Sequence, residues 1–474
     1  MNQYKTPLCD ALFQHIKRDP ISFHVPGHKY GEVFRSAEKA RFQSLLKIDA
    51  TELSGLDDLH SPEGVILESE ALLADLYKIK KSFFLVNGST GGNLTMVMST
   101  CVEGSHVLVQ RNCHKSILNA LKLAKVHPIF LEPEFDYDWK IATSVTPQTV
   151  KDAIALYPDA KAVILTYPNY YGMAYDLEGI IKHAHHHRIP VLVDEAHGPH
   201  FIFGEPMPKS AVQLGADLVV QSAHKLLPAM TMGSYLHFNS GLIDLHMVKE
   251  YLQIFQSSSP SYPIMASLDL ARSYLATYQR EDIDYILKEI QQFKEDLNGI
   301  PGIRVLDYLG KGDPLKVTIQ STCGLSGFEL QRKFEEVGVF TELADPLNVL
   351  FVLPLLKADQ SYPFAEAATK IKGSLKDIPF YPIKDFAPMH NNRISGLSFS
   401  YQEMQGLEKV EMPITEAIGK VAAEMIIPYP PGIPLLLVGE RITQERIESL
   451  IRLIESGAKF QGSRDLKKGL INVF

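Results

Sequence analysis

Cysteine is scarce in this sequence, with four residues among 474. Cys9, Cys101, Cys113 and Cys323 are scattered and show no paired spacing. Disulfide-rich secreted domains carry cysteines at regular spacings, whereas proteins of reducing compartments keep their thiols free. The pattern therefore argues against a disulfide framework and predicts reduced thiols in the cytoplasm.

Long hydrophobic runs are also missing. The most apolar late stretch, Met425 to Val438, is interrupted by prolines, and no uninterrupted run reaches the ~20 residues that a membrane-spanning helix needs. The first residues show no charged segment followed by an apolar one, so we expect no signal peptide. We therefore predict no membrane partner and a cytoplasmic protein.

Positive charge is not in excess, because 47 lysines and arginines stand against 55 aspartates and glutamates, for a formal net charge of -8. This balance argues against a nucleic-acid partner and would help to attract a small cationic molecule. Apolar residues make up 45% of the chain, and the mean hydropathy is -0.03. Such a chain can form a large core and two or three globular domains.

Short apolar segments alternate with amphipathic ones from about Leu67 to Phe238. The predicted strands are Phe83–Val86, Val107–Val109, Ile129–Leu131, Val163–Leu165 and Val191–Val193. The predicted helices between them include Ser116–Leu123 and Leu177–His187. Such alternation predicts a mostly parallel sheet with helices on both faces and a ligand site beyond the carboxyl ends of the strands.

The pattern changes after Phe238. Mainly helical residues follow up to Leu297, and then come segments typical of a smaller α+β domain, namely a strand at Val317–Ile319, a helix at Phe328–Glu336 and a strand at Val349–Leu353. Apolar residues at helical spacing predict a late helix stopped by Gly457. We predict three regions: an extended N-terminal arm over residues 1–30, a large domain over 31–290 and a C-terminal α+β domain over 291–474.

Two residues at predicted strand ends indicate the chemistry. Asp194 closes the apolar run Val191–Val193, and Lys225 closes Gln221-Ser222-Ala223-His224-Lys225 after a later apolar run. Enzymes that use pyridoxal 5'-phosphate (PLP) need a lysine to form an imine with the cofactor aldehyde and a carboxylate to keep the pyridine nitrogen protonated. The sequence therefore predicts a PLP enzyme that acts at the alpha carbon of an amine substrate.

Two further segments fit this prediction, although each has a structural alternative. Gly88, Ser89 and Thr90 lie between a strand and a helix, where N–H groups and hydroxyls can bind a phosphate, but such a segment can also be a tight turn. His224 could contact the cofactor or move protons near the imine, or it could simply bond to the backbone. The histidine cluster at 183–187 fits a solvent-facing helix end better than a metal site.

Several motifs together resemble the ornithine/lysine/arginine decarboxylases of fold-type-I PLP enzymes. The motifs are Phe23-His24-Val25-Pro26-Gly27-His28-Lys29, Asp57-Asp58-Leu59-His60, Arg111-Asn112-Cys113-His114-Lys115-Ser116, Asp194-Glu195-Ala196-His197-Gly198, Ser222-Ala223-His224-Lys225 and Pro428-Tyr429-Pro430-Pro431-Gly432-Ile433-Pro434. They occur in order over nearly the whole chain. The resemblance is to the short bacterial form, since little sequence precedes Phe23 that could hold the extra N-terminal domain of the long forms.

The resemblance implies an α/β fold. It consists of an aspartate aminotransferase-like large domain with a mostly parallel seven-stranded sheet, plus a smaller α+β C-terminal domain. It also implies that Lys225 holds the cofactor, that Asp194 contacts the pyridinium nitrogen, and that His224 lies beside the imine. The remaining cofactor contacts carried over by resemblance are Ser89, Thr90 and Ser222 at the phosphate and His114 stacked on the ring.

Other positions depart from the family pattern or extend it. His197 occupies a place where some long members carry tryptophan, and Gln221 replaces a common threonine or serine with a side chain expected to point away from the site. Ser258 or Ser259, near Tyr262, resembles a segment that reaches the cofactor phosphate of a neighbouring subunit, which implies a homodimer or higher homo-oligomer with shared active sites.

The implied reaction is the decarboxylation of arginine, lysine or ornithine to an amine that feeds polyamine metabolism, with arginine favoured. Glu342 in Phe340-Thr341-Glu342 resembles the acidic residue placed near the distal cation of the substrate, and a surface glutamate is the alternative. Arg441 matches the family and could instead anchor the small domain. Two other functions remain open, namely an aminotransferase or other PLP lyase on the same fold, and a non-catalytic scaffold or regulatory protein.

Overall fold

The computed structural model describes residues 1–308, 310–376, 378, 393–428, 434–455, 457–461 and 466–474. The α-helices within these residues are α1 (Pro7–Lys17), α2 (Ser36–Ile48), α3 (Val65–Tyr77), α4 (Gly88–Thr100), α5 (Lys115–Leu123), α6 (Pro147–Leu156), α7 (Leu177–His186), α8 (Ala223–Leu226), α9 (Leu245–Phe255), α10 (Tyr262–Ala276), α11 (Arg280–Asn298), α12 (Gly327–Glu336), α13 (Phe364–Ser374) and α14 (Gln444–Glu455). In the proline-rich motif that begins at Pro428, residues 429–433 lie outside the described residues.

The strands within the same residues are β1 (Lys81–Leu85), β2 (His106–Gln110), β3 (His127–Leu131), β4 (Phe135–Asp136), β5 (Ile141–Ala142), β6 (Val163–Thr166), β7 (Val191–Asp194), β8 (Leu218–Gln221), β9 (Ser234–Phe238), β10 (Ile303–Leu306), β11 (Lys316–Ser321), β12 (Leu343–Ala344), β13 (Asn348–Val352), β14 (Ile394–Gly396), β15 (Val410–Pro413), β16 (Ile427–Pro428), β17 (Phe460–Gln461) and β18 (Leu470–Val473). The predicted strands and helices named above match these elements, with boundaries shifted by one or two residues.

The chain divides into two compact units. Unit 1 comprises Met1–Thr100, Pro190–Glu205 and Lys209–Gln279, and unit 2 comprises Cys101–Ile189, Pro206–Pro208 and Arg280–Phe474. Each unit is discontinuous in sequence. The predicted boundaries at residues 30 and 290 stay predictions.

Four strands of unit 1 lie in the order β1-β9-β8-β7. β7 and β8 are parallel, with Asp194 opposite Val220, whereas β9 is antiparallel to both β8 and β1. β7, β8 and β9 are buried at every residue, as expected for strands covered on both faces. The carboxyl ends of β7 and β8 therefore lie side by side, and they carry the two candidate residues Asp194 and Ser222 into the same region.

Unit 2 contains the strand order β6-β2-β3-β14 and a smaller sheet, β10-β11-β13-β12. β2 is parallel to β6 and β3, while β14 is antiparallel to β3. β14 is one strand more than the seven predicted, so the count becomes eight within the described residues. Its three residues, Ile394–Gly396, are too few to show an alternating apolar pattern, and the strand depends on backbone pairing with β3. The α/β fold class with a C-terminal α+β region is confirmed.

The prediction of an extended N-terminal arm was wrong for residues Pro7–Lys17, which form α1. Leu8 and Leu12 are one helical turn apart and fully buried. Asp269 on α10 accepts a hydrogen bond from the Leu8 N–H at 3.1 Å, which satisfies an amide of the first turn. Asp269 also pairs with the buried Arg272 at 2.7 Å. The helix therefore depends on a partner far away in sequence, which local periodicity could not reveal.

Gly92 provides a test of the packing that supports the candidate site. A Cβ atom at Gly92 on α4 would lie 2.7 Å from Leu85 Cδ1 and 2.8 Å from Val220 Cγ2. Because both contacts are shorter than van der Waals distance, we expect Gly92→Ala to lower the free energy of unfolding by about 1–3 kcal/mol. Chemical denaturation measures this change.

Gly373 is the matched control, because it lies in α13 and a Cβ atom there would meet nothing within 4 Å. Gly373→Ala should be neutral or stabilising by up to about 1 kcal/mol, since alanine favours the helix. Equal effects of the two substitutions would contradict the packing argument.

Candidate active site

Lys225 lies in α8, the single helical turn that follows β8. Its Nζ is 3.0 Å from His197 Nε2. His197 is 5% exposed, so this contact between an amine and an imidazole is largely shielded from water. The structure thus brings together the predicted cofactor lysine and the residue at which the family pattern varies.

Asp194 ends β7 and is 3% exposed. Its Oδ2 accepts a hydrogen bond from Asn93 Nδ2 at 2.9 Å, and its Oδ1 accepts one from the Ala196 N–H at 3.2 Å. Asn93 was not among the residues predicted for the site. A signal was present, because Asn93 lies four residues after Ser89 on α4 and so faces the same side of the helix.

The candidate phosphate residues lie where α4 and α8 begin. Ser222 Oγ donates to Ser89 Oγ at 2.9 Å, and Ser222 is the residue directly before α8. Gly88, with φ of +72°, provides the left-handed turn that leads into α4. Thr90 follows in the first turn of α4 and is exposed. The N–H groups at this end of α4 point out of the helix and lack intrahelical acceptors.

His224 is held by the backbone. Its N–H donates to the Gly233 carbonyl oxygen at 3.1 Å, and its Nδ1 donates to the same oxygen at 2.9 Å. This double contact fixes the ring orientation and assigns the Nδ1–H tautomer. The contact of Nδ1 agrees with the alternative prediction of a histidine bonded to the backbone. A cofactor role of His224 stays a prediction, and it would involve Nε2.

A buried polar chain runs behind the ends of β7 and β8. Glu195 is fully buried and accepts from Ser210 Oγ at 2.7 Å, from the Ala211 N–H at 2.6 Å and from Gln221 Nε2 at 2.6 Å. Gln221 Oε1 in turn accepts from His237 Nε2 at 2.9 Å. Gln221 therefore belongs to this buried chain, whereas Ser222 contacts Ser89, and Gln221 connects the two strand ends.

Burial has the largest effect on the pKa values of Glu195 and His237 in this buried polar chain. It raises the pKa of Glu195 to about 8, even though its three donors favour the ionised form. It lowers the pKa of His237 to about 3, so the imidazole is neutral at pH 7. A neutral His237 can donate from Nε2 to Gln221 while its Nδ1 accepts from the Ser82 hydroxyl at 2.9 Å. The hydrogen bonds at both ring nitrogens of His237 are then consistent in direction.

The candidate trans-subunit segment follows α9. Ser257 Oγ donates to the Ser259 carbonyl oxygen at 3.3 Å and accepts from the Ser259 N–H at 3.2 Å, which forms an exposed turn that also contains Ser258. Tyr262, at the start of α10, is fully buried and donates through its hydroxyl to the Asp57 carbonyl oxygen. The contact of Ser258 or Ser259 with another subunit stays a prediction.

Two predicted residues belong to unit 2. His114 caps α5, and its Nδ1 lies 2.8 Å from Ser116 Oγ. Glu342 is exposed and lines a cavity of about 490 Å³ in unit 2. Aromatic side chains line the same cavity, namely Phe293, Phe340, Phe351, Tyr362 and Phe364. A carboxylate among aromatic faces suits a cationic group.

Arg111, the first residue of the motif that also contains His114, forms an ion pair with Glu440 that local sequence patterns do not indicate. Arg111 is 4% exposed, and its Nη2 lies 2.6 Å from Glu440 Oε2. Its Nη1 also donates to the Pro434 carbonyl oxygen at 2.9 Å. Arg441, for which an anchoring role is the alternative prediction, donates to the Gly419 carbonyl oxygen at 2.8 Å. Both arginines thus hold segments of unit 2 together.

Comparisons with family models agree with these motifs. A model described as "Orn/Lys/Arg decarboxylase, major domain" matches residues 6–312, and one described as "Orn/Lys/Arg decarboxylase, C-terminal domain" matches residues 397–470. The uncharacterized protein YaaO of Bacillus subtilis is 47% identical, with 99% of this chain and 98% of that protein aligned. An arginine decarboxylase of the same organism is 35% identical, with 100% and 98% aligned.

Solved structures share the fold. The lysine decarboxylase LdcF of Francisella novicida is similar with a TM-score of 0.81 at 22% identity, over 99% of this chain and 80% of that chain. A serine palmitoyltransferase solved with PLP is similar with a TM-score of 0.53 at 14% identity, over 66% of this chain and 77% of that chain. These likenesses show the α/β fold of the fold-type-I PLP-dependent enzymes.

Within that class, the chain belongs to the Orn/Lys/Arg decarboxylase family, and it is a PLP-dependent decarboxylase. No α-helix in the described part of the chain is long and apolar enough to cross a membrane.

Gln221 provides a test of the buried polar chain. Gln221→Met removes the bridge and leaves Glu195 and His237 each without one hydrogen-bond partner. Since unsatisfied buried polar groups are costly, we expect a loss of about 1–3 kcal/mol in the free energy of unfolding, measured by chemical denaturation. Gln148→Met is the control, because Gln148 is exposed and bonds to Asp152 one turn away on the same helix. Similar losses for both variants would count against the bridge.

Proposed function

We propose that this chain decarboxylates a basic amino acid, namely arginine, lysine or ornithine, and that Lys225 and Asp194 form the core of the site. The observation that carries the proposal is the parallel pairing of β7 with β8, which brings a buried carboxylate and an amine to adjacent strand ends. PLP chemistry needs these two groups on opposite sides of one ring system.

The groups in unit 1 fit PLP in their chemistry. The Ser89 and Ser222 hydroxyls, Thr90 and the N–H groups of the first residues of α4 suit a phosphate. Asp194 is held by Asn93 and is buried, as required of a carboxylate that keeps a proton on a pyridine nitrogen. Lys225 supplies the amine for the aldehyde. His114 and His197 are proposed as ring contacts, and Ser259 as a phosphate contact from a neighbouring subunit of a homodimer.

When bound, PLP accepts the electron pair that remains after carbon dioxide leaves the substrate's alpha carbon. The protein must then return a proton to that carbon. Lys225 Nζ is a candidate donor, and its 3.0 Å contact with His197 Nε2 gives it a partner for proton exchange. His224 is the other candidate, and its backbone anchor would present Nε2 in a fixed orientation.

Substrate selection is assigned to Glu342. A basic amino acid carries a distal cation, and the cavity beside Glu342 offers a carboxylate together with aromatic faces. Arginine is favoured, because a relative named arginine decarboxylase is 35% identical over the whole chain, whereas the constitutive lysine decarboxylase of Escherichia coli is 24% identical. We propose that the amine product enters polyamine metabolism in the cytoplasm.

Lys225→Ala tests the central assignment. We expect the release of carbon dioxide from arginine to fall by about 10³-fold or more, because the nucleophilic amine is lost. The visible absorbance of bound cofactor should also disappear, and borohydride should no longer attach PLP to the chain. Lys47→Ala, an exposed lysine on α2, should change neither signal. Substantial turnover of Lys225→Ala would refute the assignment.

Glu342→Gln tests the substrate assignment. Loss of the carboxylate should reduce the preference for arginine over the uncharged norleucine about tenfold, as measured by the ratio of the two kcat/KM values. Glu366 is the matched control, because it lines the same cavity but is already paired with Lys370 at 2.7 Å. An unchanged ratio in Glu342→Gln would remove this residue from the substrate site.

A further inference from the structure

Unit 1 contains a polar cavity that has no role in the proposed reaction. Its volume is about 260 Å³, and its walls come from the loop before α3, from α3 and β1, and from α9. The polar groups in its lining include His60, Glu63, Glu70, Lys81 and Lys249. His60 belongs to the family motif Asp57-Asp58-Leu59-His60, to which the proposed function assigns no role.

Glu70 is the buried group of this cavity. It is 2% exposed, and its Oε1 accepts from the Phe84 N–H at 3.1 Å. Its Oε2 is buried and has no hydrogen-bond partner among the described residues. A buried carboxyl oxygen without a partner is costly, so its presence in the wall of a cavity points to a ligand. Burial also raises the pKa of Glu70 to about 8, so the carboxyl holds a proton at pH 7.

Two lysines line the same cavity. Lys81, on β1, is half-buried with its Nζ 5.4 Å from the centre of the Phe83 ring, and Lys249, on α9, is exposed. In the part of the chain that the structure describes, neither amine forms a hydrogen bond or an ion pair. Besides Glu70, the lining contains one carboxylate side chain, that of Glu63. The cavity therefore favours an anion over a cation.

The walls of the cavity are fixed by the protein itself. His60 Nε2 contacts the Ser257 carbonyl oxygen at 2.8 Å, and Gln253 Nε2 donates to the His60 carbonyl oxygen at 3.1 Å. Gln256 Oε1 accepts from the Val86 N–H at 2.8 Å. A preformed cavity requires little ordering when a ligand enters, which preserves affinity.

We propose that this cavity is a binding site for a small oxyanion, either phosphate or carboxylate. The oxygens of the ligand accept hydrogen bonds from the protonated Glu70 Oε2 and from the amines of Lys81 and Lys249. The proposed ligand contacts do not include Lys225. The ligand can therefore bind without any turnover of substrate.

The first experiment measures binding to the PLP-loaded enzyme by calorimetry near pH 7, with inorganic phosphate in one arm and succinate in the other. We expect saturable binding in at least one arm, and the tighter arm identifies the kind of oxyanion. The double variant Lys81→Gln/Lys249→Gln should weaken this binding about tenfold or more, since two charge-assisted hydrogen bonds are lost. Lys47→Gln makes the same kind of charge change outside the cavity and should leave binding unchanged.

Two results would overturn the proposal. One is the absence of binding in both arms up to about 10 mM, which corresponds to less than ~3 kcal/mol of binding free energy. The other is an unchanged affinity in the double lysine variant. Neither result depends on decarboxylation, so the proposed function can stand or fall separately.

The second experiment tests the proton on Glu70 with succinate, whose carboxylates stay ionised throughout the range used. The charged groups that act on Glu70 are Lys81 on β1, Lys249 on α9 and Asp57 in the loop before α3. His60 and Glu63 also line the cavity. As the pH rises from about 7 to about 9, Glu70 loses its proton, and the affinity for succinate should fall about tenfold.

Glu70→Gln is the informative variant for this pH dependence. The amide oxygen can still accept from the Phe84 N–H, and the amide N–H can donate where Oε2 lies. The variant should therefore bind succinate at pH 7 and lose the fall in affinity towards pH 9. A fall as large as that of the unmodified enzyme would show that Glu70 does not contact the ligand.

Discussion

The parallel pairing of β7 with β8 is the constraint on which the candidate site depends. In a parallel pair the two carboxyl ends lie at the same edge of the sheet, so Asp194 at the end of β7 and the segment from Ser222 to Lys225 after β8 must be neighbours. The Glu195–Gln221 hydrogen bond of 2.6 Å ties these two ends together one residue away from each functional group. The two strand ends are therefore held together by a hydrogen bond between residues that have no proposed contact with cofactor or substrate.

Two buried carboxyl groups of unit 1, Glu195 and Glu70, differ in their hydrogen bonding. Around Glu195 burial accompanies a complete set of hydrogen bonds, so the site acts as a fixed support for the strand ends. Around Glu70 burial leaves one carboxyl oxygen without a partner beside a cavity lined by two lysines. Both carboxyls have a pKa raised to about 8, yet only Glu70 is among the residues that line this cavity. The difference in partners, rather than the pKa, separates a supporting role from a binding role.

Local patterns were informative where a residue's role depends on its own segment. The apolar runs before Asp194 and Ser222 and the alternation of strands with helices gave the correct elements, whereas Gly88, Ser89 and Thr90 form the first turn of α4 rather than a segment before it. Local patterns failed where stability comes from afar. α1 was missed because its first amides bond to Asp269, and β14 was missed because three residues form a strand only when β3 lies beside them.

The sequence by itself determined which groups are available for the proposed chemistry, because the amine of Lys225, the carboxylate of Asp194 and the hydroxyls of Ser89 and Thr90 belong to short segments read in order. Only the tertiary structure decided which groups hold them in place. Asn93 at Asp194, Gln221 at Glu195 and His197 at Lys225 join residues from different segments, and the burial that sets their protonation exists only after the strands and helices have packed. Sequence distance conceals such pairs because hydrogen bonding and desolvation depend on proximity in space.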